Sequence, residues 1–169
     1  MQINVSQLLQ EHIGSVREYR IDEAADVIGD GNRYPVRGDC RLLRTRQGVL
    51  TGCKLETEVE LTCNRCLERY RQKLTVGFEE EFLQTVDVTT GIGLPAPEDP
   101  GAFTIDSQHI LDISEAVRQY TVMALPLKPL CRESCKGLCQ ACGKNLNEGD
   151  CGCPRDTIDP RWAKLNGLR

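Results

Sequence analysis

The sequence predicts an α+β fold: an antiparallel β-sheet or partly closed barrel, one main helix packed on it, and a C-terminal cysteine-rich zinc-binding tail. Three observations carry this. Apolar residues alternate with polar ones at period two through the middle of the chain. One stretch before Pro126 repeats at helical spacing. Eight of the ten cysteines fall into four close pairs, three of them beyond residue 130. The division that follows is a sheet domain over residues 1–125, with a helix near 112–125, and a metal-binding tail over 126–169 packed on it.

The elements can be justified in chain order. Gln2 to Leu9 and Val16 to Ile21 read as short strands, or as a strand and a short helix. Tyr34 to Arg46 reads as a strand joined to the next near Gln47-Gly48. From Val49 to Leu61 the alternation is clean, with Val49, Thr51, Cys53, Leu55, Thr57, Val59 and Leu61 on one face. Lys54, Glu56, Glu58 and Glu60 fall on the other, the pattern of a half-buried strand. It repeats from Tyr70 to Phe82, with Tyr70, Leu74, Val76, Phe78 and Phe82 inward. Residues 87–102 hold six Gly and Pro residues and read as a loop. Asp112-Ile113-Ser114-Glu115 resembles a capping box with Asp at the N-cap. Ile113, Ala116, Val117, Tyr120 and Ala124 then recur at helical spacing, and the helix must end before Pro126. From Cys131 the chain has almost no aliphatic periodicity, so a metal must organise it. Asp159 to Leu165 suggests one or two helical turns docking Trp162 and Leu165.

Composition bounds the function classes. The formal charge is −4, so the chain is not a broadly basic nucleic-acid binder. The charge is uneven: residues 76–125 carry one Lys/Arg against nine Asp/Glu, between two mildly basic segments. An acidic run of this kind is a solvated face or a docking surface for a basic partner. The N-terminus has no basic and long apolar regions of a signal peptide. No stretch approaches the roughly 18 apolar residues of a membrane span. A cytoplasmic location follows, where clustered cysteines read as metal ligands or redox centres before disulfides.

The thiol pairs are Cys63/Cys66, Cys131/Cys135, Cys139/Cys142 and Cys151/Cys153. Two thiolates a few residues apart can face one ion from a tight loop, and two such loops make a tetrahedral Cys₄ site. One grouping assigns Cys63, Cys66, Cys131 and Cys135 to a first site, and Cys139, Cys142, Cys151 and Cys153 to a second. Another pairs Cys63/Cys66 with Cys139/Cys142 and leaves four thiols spare. Spacing does not decide between one and two zinc ions. A closed Cys₄ shell has no open position, so the zinc would be structural. The rivals are thiol-redox chemistry at a Cys-x-x-Cys and an iron–sulfur cluster. Cys63-Asn64-Arg65-Cys66 follows a strand instead of opening a helix, which speaks against the former. Cys40 and Cys53 read as buried core. His12 and His109 read as surface or cap residues, and no phosphate-binding loop is present.

Arg37, Arg41 and Arg44, then Arg65, Arg69, Arg71 and Lys73 around the first thiol pair, form the candidate nucleic-acid contacts. They would meet phosphates of structured RNA by shape and backbone. Solvated strand edges carrying charge are the plainer alternative. Few aromatics argue against single-strand stacking.

Leu61-Thr62-Cys63-Asn64-Arg65-Cys66-Leu67-Glu68 and Ala124-Leu125-Pro126-Leu127-Lys128-Pro129-Leu130-Cys131 resemble the bacterial YceD family. So does the tail from Cys135-Lys136-Gly137-Leu138-Cys139 through Gly143-Lys144-Asn145-Leu146-Asn147-Glu148-Gly149, with Asp159-Pro160-Arg161. The resemblance spans nearly the whole chain. It implies a role in accumulation or processing of 23S ribosomal RNA and in large-subunit biogenesis, with no known enzymatic activity. The expected partner is ribosomal RNA or a large-subunit ribosomal protein. The expected zinc would lock the tail onto the sheet. Two alternatives remain at this point: a thiol-redox or metal-dependent enzyme, and a protein–protein adaptor without RNA contact.

Overall fold

The computed structural model describes residues 1–153. The helical turns expected over Asp159 to Leu165 lie outside the described residues. The described chain forms two compact units. The first comprises Met1–Glu60 and Arg71–Leu127; the second comprises Leu61–Tyr70 and the described residues from Lys128 onward. Leu61–Tyr70, which a division at residue 125 keeps with the sheet, thus belongs to the second unit.

The first unit is a curled half-barrel sheet with few helices. Its strands are β1 (Gln2–Asn4), β2 (Val16–Ala25), β3 (Tyr34–Arg44), β4 (Gly48–Thr62), β5 (Arg69–Gln84), β6 (Thr104–Ile105) and β7 (Ile110–Asp112), the last residues of β4 and first of β5 reaching into the second unit. They form one seven-stranded sheet in the order β1-β7-β6-β5-β4-β3-β2. Helix α1 (Ser6–Gln10) buries Leu8 and Leu9, and α2 (Ser114–Ala124) is the main helix. The two short strands β6 and β7 carry too few residues for a period to show in the sequence. Pairing departs from antiparallel here, where β5 runs parallel to β6.

The long strands follow from their alternation. In β4, residues 49, 51, 53, 55, 57 and 59 are buried while Lys54, Glu56 and Glu60 are exposed. β-branched and aromatic side chains fit this pleated, half-buried surface. Leu74, Val76, Phe78 and Phe82 of β5 line the same core. Each such large side chain removed from water contributes roughly 1.5–3 kcal/mol. Gly38 of β3 sits opposite Leu55, and a Cβ there would fall 2.1 Å from the Lys54 carbonyl oxygen. Only glycine permits this close approach of the two backbones.

α2 packs through the stacked rings of Phe78 and Tyr120, whose centroids are 5.1 Å apart. The Tyr120 hydroxyl donates to Glu80 Oε1. Ile113, Ala116 and Val117 are buried as the helical spacing predicts, but Ala124 is exposed and Thr121 takes the last buried place. The Thr121 hydroxyl donates to the Val117 carbonyl, which satisfies it within the helix. The reciprocal capping box does not form. Asp112 Oδ1 accepts from the Ser114 N–H at 2.9 Å, while Glu115 turns forward to Arg118 and Gln119.

Cys40 and Cys53 are both buried, but they are not independent core thiols. They oppose each other in the β3–β4 register and form a disulfide. Alternation along each strand places both on the inner face without revealing that the register aligns them.

Candidate metal centres

The first centre is built on the turn between β4 and β5. The Cys63 N–H donates to the Glu68 carbonyl at 2.9 Å, and the Leu67 N–H donates to the Cys63 carbonyl at 3.0 Å. Leu67 completes the turn at φ 61°, a left-handed conformation uncommon for a branched apolar residue. The closed turn directs both sulfurs to one side, and the Arg65 N–H reaches the Cys63 sulfur at 3.4 Å. The second thiol pair is brought alongside by backbone contacts. The Asn64 N–H donates to the Pro129 carbonyl, and Arg65 Nη1 donates to the Cys135 carbonyl at 2.9 Å. The Leu138 N–H returns to the Arg65 carbonyl.

This assembles Cys63, Cys66, Cys131 and Cys135 with all four sulfurs within 4.8 Å of one another. Cys63 and Cys135 sulfurs lie 3.8 Å apart, and those of Cys66 and Cys131 lie 3.6 Å apart. A tetrahedral ion with metal–sulfur bonds of about 2.3 Å needs sulfur–sulfur edges of about 3.8 Å. Cys63, Cys66 and Cys135 are buried, with Tyr70, Leu130 and Leu138 packed around them.

The second centre holds Cys139, Cys142, Cys151 and Cys153, again with all sulfurs within 4.8 Å. The Gly143 N–H donates to the Cys139 carbonyl, and the Cys139 N–H donates to the Lys144 carbonyl, both at 2.8 Å. Gly143 adopts φ +74°, which the tight turn requires and glycine supplies without penalty. This centre is more open: Cys139 is buried, Cys151 and Cys153 are half-buried, and Cys142 is exposed. Cys63 and Cys66 do not approach Cys139 and Cys142 as ligands of one ion; each pair completes a different cluster.

The electrostatics of each cluster would suit a cation. Burial opposes ionisation of Cys63, but N–H groups of Cys131, Cys66 and Arg65 outweigh it and hold the thiol down to about 6. Cys66 is pushed up to about 12: an N–H from Glu68 favours its thiolate, but burial and the sulfurs of Cys63, Cys131 and Cys135 prevail. In the second cluster, N–H groups of Cys142 and Ala141, with the Cys151 thiol, lower Cys139 to about 6. The thiols of Cys142 and Cys151, with burial, raise Cys153 to about 12. Four thiolates cannot share either space without a positive charge between them. The donor set and spacing fit a soft or borderline divalent ion, and a complete thiolate shell keeps no position for substrate.

The residues expected to contact nucleic acid divide into groups. Arg37 and Arg71 are exposed and paired with Asp22 and Glu58. Together with Lys73 they line an open groove of about 660 Å³ that also contains Glu56, Glu58 and Glu60. Arg41 lies exposed on the outer face of β3, and Arg69 is exposed at the start of β5. Arg44 is half-buried and donates to the carbonyls of Thr45 and Gly48. Arg65 is spent on the Cys135 and Glu133 carbonyls.

Three residues around the first centre, which sequence reasoning placed only in the family motif, have roles it did not find. Asn147 Nδ2 donates to the Cys135 sulfur at 3.3 Å, and Asn145 Nδ2 donates to Glu68 Oε1 at 2.7 Å. Gly137, at φ +75°, lets the chain pass Arg65, where a Cβ would lie 3.1 Å from its carbonyl oxygen. The available signal was the Asn-Leu-Asn run between Cys142 and Cys151, two amides with no other evident use in a glycine-rich loop.

Comparison with known proteins adds a relationship. The family described as large ribosomal RNA subunit accumulation protein YceD matches residues 51–169. An uncharacterised protein of Mycobacterium tuberculosis is 32% identical over 75% of this chain and 58% of its own length. An uncharacterised protein of Mycobacterium leprae is 28% identical over 79% of this chain and 59% of its own. A chloroplastic protein of Arabidopsis thaliana, named large ribosomal RNA subunit accumulation protein YCED homolog 1, is 27% identical over 80% of this chain and 49% of its own. The chain thus spans about half to three fifths of the length of these relatives. No solved structure matches.

Proposed function

The chain belongs to the YceD family of large ribosomal RNA subunit accumulation proteins, and from that premise we propose that it is a non-enzymatic factor in large-subunit biogenesis. It supports accumulation or processing of 23S ribosomal RNA by binding that RNA or a large-subunit ribosomal protein, in the cytoplasm. Zinc ions in the two thiol clusters are structural and keep the binding unit folded. The observation that carries the reading is the family match across most of the chain, joined to two clusters of four thiols, each enough to fill the shell of one structural ion. Among the described residues no helix is long and apolar enough to cross a membrane.

On the RNA side, exposed Arg37, Arg41, Arg69, Arg71 and Lys73 serve as phosphate contacts. Arg65 and Arg44, engaged with backbone carbonyls, are not the first choice for that role. The mixed lining of the groove favours a second reading, in which the contact is a basic ribosomal protein. Arg71 already faces the carboxylate of Glu58 there, Arg37 is paired with Asp22, and Glu56 and Glu60 add negative charge.

The test is depletion of the protein followed by measurement of 23S ribosomal RNA, with co-sedimentation of tagged protein on large-subunit precursors. The reading expects reduced 23S RNA and co-sedimentation that weakens with salt, since each phosphate contact releases counterions. Unchanged ribosomal RNA and no precursor association would refute it. Elemental analysis of the reduced protein tests the metal. Zinc in both clusters is expected, and iron with inorganic sulfide would replace zinc by an iron–sulfur cluster.

A further inference from the structure

The loop of residues 143–150 belongs covalently to the second thiol cluster, since it joins Cys142 to Cys151. Its side chains nevertheless serve the first. Asn147 Oδ1 accepts from the Lys136 N–H at 2.9 Å, which fixes the orientation of the amide. Nδ2 must then point the other way, and it donates to the Cys135 sulfur. Two residues earlier, Asn145 Nδ2 reaches Glu68, whose carbonyl closes the Cys63 turn. Asn145 Oδ1 accepts from the Asn147 N–H and Nδ2, so the two amides form one bonded pair. The backbone runs the same way: Leu146 N–H donates to the Gly137 carbonyl, and Leu138 N–H to that of Arg65.

We propose that the two clusters are a coupled pair, in which the loop closed by the second metal delivers, through Asn145 and Asn147, the hydrogen bonds that hold the ligands of the first. The inference rests on the reading that both clusters bind metal. Hydrogen bonds to ligating groups orient them and tune the metal, and their loss typically costs 10- to 100-fold in affinity. Without an ion at the second cluster, the two ends of residues 143–150 are no longer tied together through Cys142 and Cys151, and the loop rests on its own hydrogen bonds to Glu68, Cys135, Lys136 and Gly137. The first cluster is then weakened although its four cysteines are intact. Coupling of this kind is reciprocal, so filling the first cluster also favours filling the second. Because Cys142 is exposed while Cys63, Cys66 and Cys135 are buried, the second cluster is where metal loss begins. The loop thus makes the buried centre responsive to metal occupancy at the exposed one.

The test follows zinc release from the full chain to a chromogenic chelator, with wild type, Cys142→Ser, Asn147→Ala and Glu148→Ala. Glu148 is exposed in the same loop and serves as the control. Wild type should hold two ions. Cys142→Ser should hold one, released from the first cluster about 10- to 100-fold faster than wild type releases its slower ion. Asn147→Ala should keep two ions, with the slow phase accelerated about tenfold or more and the fast phase little changed. In cobalt(II)-loaded Asn147→Ala, the sulfur-to-metal charge-transfer band should move to longer wavelength, because the Cys135 sulfur has lost a donor. Glu148→Ala should match wild type in every respect. Wild-type slow-phase release in both Cys142→Ser and Asn147→Ala would overturn the coupling and leave the two-metal reading intact. Fewer than two ions bound by wild type would overturn that reading, and the coupling with it.

Discussion

Arg65 can be assigned to one of two roles by a single substitution. Its place beside the first thiol pair suits a phosphate contact, but its Nη1 lies 2.9 Å from the Cys135 carbonyl and 3.4 Å from that of Glu133. The shorter contact is a good charge-assisted bond and the longer one is weak. A hydrogen bond involving a charged group contributes roughly 1.5–3 kcal/mol, and partial exposure puts this one near the lower end. Arg65→Met keeps the aliphatic stem and removes the donors. Loss of about 1.5 kcal/mol corresponds to roughly a tenfold weaker metal affinity at the first centre. Competition against a chelator of known affinity reads this directly. Binding to ribosomal RNA at fixed metal loading should change little. Arg65→Lys restores charge but not the planar fork, so metal affinity should recover only in part. The reverse outcome would refute the reasoning. Unchanged metal affinity, with RNA binding weakened, its salt slope reduced by about one and Lys restoring it, would make Arg65 a phosphate contact.

Three further predictions concern the sheet unit. Gly38→Ala places a Cβ 2.1 Å from the Lys54 carbonyl oxygen at φ +151°; the strands must separate, and a loss of about 3 kcal/mol or more is expected in urea unfolding. The Cys40–Cys53 disulfide closes a loop of sequence separation 13, so replacing both with Ala should cost about 3 kcal/mol by the chain-entropy relation. Denatured, unreduced, metal-free protein should correspondingly yield eight reactive thiols rather than ten. At Asp112 burial opposes ionisation, but the Ser114 hydroxyl and N–H hold the carboxyl below its usual 3.8. A depressed pKa contributes stability above about pH 4 that disappears as pH falls through the folded value. Asp112→Ala should therefore be less stable than wild type at pH 7, with the difference narrowing as pH falls below 4, measured by thermal unfolding.

How much of this was legible follows from what each signal requires. β4 and β5 were readable because burial of one sheet face imposes period two, and fifteen residues with Val49 through Val59 buried at every second place leave no other period. β6 and β7 span two and three residues, too short for any period to register. The parallel step between β5 and β6 depends on where the loop of residues 85–103 returns, which local sequence does not encode. Thr121 replaced Ala124 at the end of the buried helix stripe because a hydroxyl that bonds its own helix is no longer a polar group for burial purposes. The Cys40–Cys53 bond required the register, a property of two strands together.

The thiol clusters show the same boundary between local and relational information. That each pair is a bidentate loop follows from spacing, since two sulfurs within one turn have little else to do together. Which pair meets which is decided by Pro129 and Arg65, through bonds between segments some 65 residues apart. Once Cys131 and Cys135 stand beside the β4–β5 turn, Cys139 to Cys153 must close among themselves, because Gly137 turns the chain at the Arg65 backbone. The segment that does this has few apolar side chains to bury: around the first centre the packing is Tyr70, Leu130 and Leu138 against the cysteines themselves. Its amides therefore face sulfur and carboxylate, where the first unit has aliphatic contacts. If the clusters hold metal as proposed, a core of this kind is only as stable as the ions that neutralise it, so metal chemistry would set the integrity of the described part of the second unit, where burial sets that of the first.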